Sequence, residues 1–179
     1  MTASIIDSGI RPLKTVGILV FLLLLTQVCF AQASHLEFSI LLEKSEYKKQ
    51  EPIMANFKLE NKGEEPIWVN KRFYLNSESV AEDHRGEVVL KVTSPSGQEI
   101  PCKFAYEAGL PKSDYFEILA PGKSAVSEYP RNLCGYFDLN EPGVYNIVAV
   151  YQNISGKEIG LDVFGEKLTA EPVSLKVIE

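Results

Sequence analysis

Few residues in this chain have types and spacings that could do chemistry. There are two histidines, His35 and His84. His84 stands in Asp83-His84-Arg85, a neighbouring acid–imidazole pair of the kind general-base catalysis uses. Adjacent side chains in a loop diverge, and no positioned nucleophile accompanies the pair. Gly-x-Ser-x-Gly, His-Glu-x-x-His and phosphate-cradling glycine loops do not occur. The carboxylates are scattered, without the Asp-x-Asp-x-Asp run of calcium loops. Cys102 and Cys134 have no neighbouring histidines with which to hold zinc. The expectation is a non-enzymatic protein with no metal and no cofactor.

Aromatic residues offer a different chemistry. Tyr106, Tyr115, Phe116, Tyr129, Tyr136 and Phe137 fall mostly between the regularly alternating segments. Exposed rings stack on sugars or seat a peptide, whereas packed rings would cap the open ends of a β fold. The binding candidates are Tyr106, Tyr115, Phe116 and Tyr136. Val148 and Val150 are a further apolar patch if no other strand covers their face. Asn153-Ile154-Ser155 is a glycosylation sequon, with meaning only in a eukaryotic secretory route. The formal charge of −6 and the lack of a lysine–arginine cluster argue against a nucleic-acid partner.

The first 33 residues read as a signal peptide. Arg11 and Lys14 precede the uncharged run Val16 to Phe30, and Ala31-Gln32-Ala33 supplies a small-x-small cleavage site. The run has 15 residues, short of the roughly 20 a spanning helix needs. Cleavage between Ala33 and Ser34 is therefore expected, leaving no stable membrane span. The rival is lipidation of Cys29, against which Thr26 and Val28 fit a lipobox poorly. Localisation is then secreted or periplasmic. The domain from 34 to 179 keeps 16 basic and 23 acidic residues. Its two cysteines, Cys102 and Cys134, would face an oxidising compartment, where an even pair forms a disulfide more often than two free thiols. Such a bridge would stabilise by roughly 3–4 kcal/mol on the chain-entropy account.

Elements that would position these residues are strands. Leu36, Phe38, Ile40 and Leu42 alternate with mostly polar neighbours, as do Ile53, Ala55, Phe57 and Leu59, then Val88, Leu90 and Val92. Lys44 to Glu51 is a polar turn, Ile67 to Asn70 a short strand carrying the single tryptophan, and Asn76 to Gly86 a polar surface loop. Ser94-Pro95-Ser96-Gly97 is a hairpin turn from which Gln98 to Lys103 returns. Glu117 to Ala120 and Ser124 to Tyr129 flank Pro121-Gly122 as a hairpin or a sheet-switching corner. Val144 to Tyr151 is the strongest strand, and Val173 to Ile178 closes the set. Leu139, Gly143 and Tyr145 have the spacing of a tyrosine corner, in which the phenol bonds backward to the main chain. The expected fold is an all-β, antiparallel sandwich of about 7–9 strands.

Three turns carry a resemblance. Asn61-Lys62-Gly63-Glu64-Glu65-Pro66-Ile67, Leu119-Ala120-Pro121-Gly122-Lys123-Ser124 and Leu139 through Tyr151 are similar to marks of bacterial extracytoplasmic immunoglobulin-like domains. The same marks occur in proteinase-inhibitor-like domains and in deuterolysin-type propeptide domains. The resemblance covers most of residues 36 to 178 and implies an immunoglobulin-like fold without catalytic residues; fold alone does not assign function. The function expected is binding of a protein or cell-envelope component, with protease inhibition and carbohydrate binding as alternatives. Mass spectrometry of the exported protein should give a chain beginning at Ser34; a lipid-modified Cys29 would overturn the cleavage expected here.

Overall fold

The computed structural model describes residues 35–81, 86–105 and 107–179. The leader with Cys29, Ala33 and Ser34, the Asp83-His84-Arg85 loop and Tyr106 lie outside the described residues. In chain order the strands are β1 (Leu36–Leu42), β2 (Glu46–Lys48), β3 (Met54–Asn61), β4 (Ile67–Asn70), β5 (Leu75–Asn76), β6 (Val88–Thr93) and β7 (Glu99–Ile100). They continue as β8 (Phe116–Leu119), β9 (Ser124–Val126), β10 (Arg131–Asn132), β11 (Gly143–Tyr151), β12 (Leu168–Thr169) and β13 (Val173–Ile178). The fold is all-β, with short 3-10 turns at Ser113–Tyr115, Leu133–Gly135 and Lys157–Ile159.

The strands form three sheets. In the first, β3 pairs with β1 on one side and with β9 and β10 on the other. The second runs β2-β13-β11-β6-β5, with β12 added to β11 and β7 to β6. A separate two-stranded ribbon joins β4 to β8.

Period-two patterning explains the core. Leu36, Phe38 and Ile40 of β1, and Ala55, Phe57 and Leu59 of β3, are buried on one face. Tyr145, Ile147, Ala149 and Tyr151 of β11 are each 0% exposed. Both sets belong to a single apolar cluster. Within it the Phe38 and Tyr151 rings stand 5.5 Å apart, and Phe73 contacts both Phe57 and Tyr151. Burying each such side chain stabilises by roughly 1.5–3 kcal/mol, so the cluster rather than any turn holds the sheets.

The phenols of Tyr145 and Tyr151 donate to main-chain carbonyls. Tyr145 donates to the Glu141 carbonyl at 2.8 Å. Tyr151 donates to the Asn70 carbonyl at the same distance. Gly143, which starts β11, has φ of 141°, and a Cβ there would lie 2.5 Å from Cβ of Pro95. Glycine is therefore required both by the backbone angle and by the hairpin packed against it.

Several elements differ from the sequence reading. The polar run Lys44 to Glu51 contains β2, which pairs in parallel with β13; only Tyr47 in it is buried, so it has too few apolar positions to show a period. The segment after Asn76 is not all surface, since Asn76, Ser77 and Val80 are buried. Trp68 is half-buried, with its carbonyl accepting from Phe164 N–H. The strand returning after Gly97 is only the two residues of β7. Of the two forms expected at Pro121-Gly122, the chain takes the sheet-switching corner: β8 goes to β4 and β9 to β3.

Burial is the main cause holding the Tyr151 phenol far above its ordinary pKa, with the nearby Glu87 charge second. The unfolded chain ionises this group near pH 10 while the folded chain does not, so stability is lost as pH rises above about 10. Urea titrations between pH 9 and 11.5 should show this loss, and Tyr151→Phe should flatten it; equal slopes in the two proteins would contradict the assignment.

Candidate functional site

The sequence around the end of β4 builds one wall of a groove. After Asn70 the chain runs Lys71-Arg72-Phe73-Tyr74, and Phe73 adopts φ of 46°. A non-glycine residue in the left-handed region is uncommon and costs of order 1–3 kcal/mol. Phe73 is 0% exposed and packs in the core, while its neighbours Arg72 and Tyr74 reach the surface. Core packing of this ring offsets the backbone strain.

Arg72 is fixed by Glu87, which is 4% exposed. Its Nε donates to both carboxylate oxygens at 3.0 Å, and a second guanidinium nitrogen lies 2.7 Å from Oε1. Glu87 also accepts from Asn70 Nδ2 at 2.9 Å and from the Tyr74 amide at 3.0 Å. Asn70 Nδ2 donates as well to Asn153 Oδ1 at 3.0 Å. The guanidinium lies 5.3 Å from the centre of the Tyr74 ring, a cation–π distance.

The groove has a volume of about 690 Å³. One side carries Lys71, Arg72 and Tyr74 with Gly109, Leu110, Lys112 and Tyr115. The other carries Val126, Glu128, Tyr129 and Arg131, from β9 through β10. Tyr129 is 62% and Leu110 78% exposed. The Tyr129 phenol is bonded to the Glu128 carboxylate, which is the first cause of its raised pKa, followed by the Glu128 charge. Lys71 is paired with Glu117. Lys112 and Arg131 have no ion pair among the described residues.

Of the aromatic residues singled out by position, Tyr115 lines this groove. Phe116 does not: it is 7% exposed, because the strand pairing of β8 turns it inward. Tyr136 lies elsewhere, half-buried and edge-on to Phe104 at 5.9 Å. Tyr74, Lys112 and Arg131 were not singled out by the sequence. Tyr74 follows a residue whose left-handed backbone no spacing rule reveals. Among the described residues no group of three or more His, Cys, Asp and Glu could hold a metal ion. No helix of the described residues is long and apolar enough to cross a membrane.

The expected bridge between Cys102 and Cys134 is not formed in this structure; both are free thiols. Each Sγ instead faces a carbonyl, Phe104 for Cys102 at 3.3 Å and Glu51 for Cys134 at 3.5 Å. Their segments are nonetheless tied together, with Lys103 N–H donating to the Tyr136 carbonyl at 2.7 Å. The sequon is internal: Asn153 is 2% exposed and its Nδ2 donates to the Ser155 carbonyl at 2.7 Å. On β11, Val144 is 48% exposed, while Val148 and Val150 are half-buried.

No protein-family model matches the chain, and a search of curated proteins returns no match. The groove is thus read from its own chemistry. It presents tyrosine faces, two cations without an ion pair among the described residues, Lys112 and Arg131, and one charged carboxylate, Glu128, beside Tyr129.

Removing the guanidinium leaves the buried Glu87 charge without its cation. Arg72→Ala should therefore lower stability by about 3–5 kcal/mol at pH 7, read from urea denaturation. Arg72→Lys, which keeps the charge, should lose less. An Arg72→Ala midpoint equal to that of wild type would show that the pair does not hold the groove wall.

Proposed function

We propose that this chain is an exported, non-enzymatic binding domain of immunoglobulin-like sandwich architecture. Its contact surface is the tyrosine groove, and its partner is a protein or a component of the cell envelope. The observation that carries the reading is the grouping of Tyr74, Tyr115 and Tyr129 along one open groove, in a molecule whose other large aromatics are mostly packed inside. Tyrosine faces with polar tips are the surface that interfaces favour, because a ring covers large area at small entropic cost. The sandwich reading is supported by the facing of β1 and β3 against β11 in one apolar cluster. Export is supported by the leader, whose basic, apolar and small-residue regions follow in the order that secretion reads.

Within this reading the groove works by exclusion and alignment, not by bond making. Leu110 and Val126 offer apolar contact. Lys112 and Arg131 select the sign of the ligand charge. Arg72, held by Glu87, keeps Tyr74 in place.

The test is retention of solubilised envelope fractions on the immobilised protein. Tyr115→Ala and Tyr129→Ala should each weaken retention about tenfold, the loss typical of a contact residue. Val144→Ser, on the second sheet, should leave it unchanged. Equal retention by all four proteins would remove the groove as the contact surface.

A further inference from the structure

One strand that borders the groove, β9, has an unused main-chain edge, and we propose that the occupant of the groove is an extended acidic peptide of a partner protein that adds to β9 as a strand. This rests on the binding reading given above and names its ligand. In the β3–β9 ladder, Asn61 N–H donates to the Lys123 carbonyl at 3.0 Å and Ser127 N–H donates to the Phe57 carbonyl at 2.8 Å. Alternate residues of an antiparallel strand point their main-chain groups to the same side. Lys123, Ala125 and Ser127 therefore turn toward β3, and Ser124, Val126 and Glu128 turn away from it. No main-chain bond engages these three among the described residues. Val126 and Glu128 line the groove. An open edge beside a cleft is the geometry that strand addition uses, with main-chain bonds giving affinity and side-chain contacts giving selectivity.

Charge selects the peptide. Lys71 and Arg72 are neutralised by Glu117 and Glu87, and Glu128 keeps its charge beside Tyr129. Lys112 and Arg131 outnumber that one carboxylate, so the groove lining has a small positive excess on a chain of net charge −6. A strand presenting Asp or Glu to these cations and apolar side chains to Tyr115 and Tyr129 fits both features. A sugar would use the rings but leave the main-chain edge unpaired.

The experiment uses the full chain against an array of eight-residue peptides. Val and Tyr occupy alternate positions, and the others are acidic, basic or neutral; polygalacturonate is the carbohydrate probe. The acidic series should bind at least tenfold tighter than the basic one, and Lys112→Ala with Arg131→Ala should remove that preference. Val126→Pro deletes only an N–H that points away from β3, a place where an edge strand tolerates proline. It should weaken peptide binding at least tenfold, while Val126→Thr binds as wild type. Amide exchange at Val126 and Glu128 should slow at least tenfold when peptide is added. Equal binding of acidic and basic series overturns the proposal. So does a Val126→Pro protein with wild-type circular dichroism and unchanged peptide affinity. Polygalacturonate bound in a Tyr129-dependent way, with no peptide bound, overturns strand addition and leaves the groove as a binding site. Binding of neither probe overturns strand addition too, and the envelope-retention result then decides the groove separately.

Discussion

The Glu87 carboxylate is the point on which the groove side of the molecule depends. A charge this deep is unfavourable unless every lone pair is used. Here the donors come from Arg72, Asn70 and the Tyr74 amide. These residues straddle Phe73, so one carboxylate fixes both sides of a strained backbone position. Through Asn70 it also reaches Asn153, just beyond β11. No buried side-chain nitrogen or oxygen among the described residues lacks a partner. A network closed in this way specifies one arrangement instead of several of similar energy.

Satisfying that charge has a geometric result. Arg72 cannot swing into solvent, so the Tyr74 ring beside it stays at the groove mouth. The opposite wall is held differently, by the β3 ladder and by Ser127, whose hydroxyl accepts from the Phe57 amide at 3.1 Å. One wall is thus set by electrostatics inside low dielectric and the other by sheet register.

Much of the frame was legible in the sequence because it follows from alternation. β1, β3, β11 and β13 each show a period of two with the buried residues on the apolar side, while β6 buries Val89 on its other face as well as Val88, Leu90 and Val92. The backward bond of the Tyr145 phenol is likewise present, to Glu141. β2, β5 and β10 are three residues or fewer, too short for a period to appear. Phe116 and Tyr115 are neighbours with opposite fates, since strand pairing of β8 sends one ring inward and leaves the other at the groove. Position in a loop of unknown path does not separate them. The left-handed angle at Phe73 is a tertiary result: a ring is drawn into the core while both flanking side chains are held outside.

The parallel pairing of β2 with β13 reaches beyond the groove. β13 lies between β2 and β11, so the strand latest in sequence occupies an interior lane of the second sheet. Until it is supplied, both neighbours keep open edges and the aromatic interior lacks Leu175 and Val177. Synthesis from the N-terminus must then deliver nearly all of this domain before the sheet can close, and closure spans more than a hundred residues of chain, a slow step by topology alone. A polypeptide built this way acquires its cooperative structure only once β13 has docked.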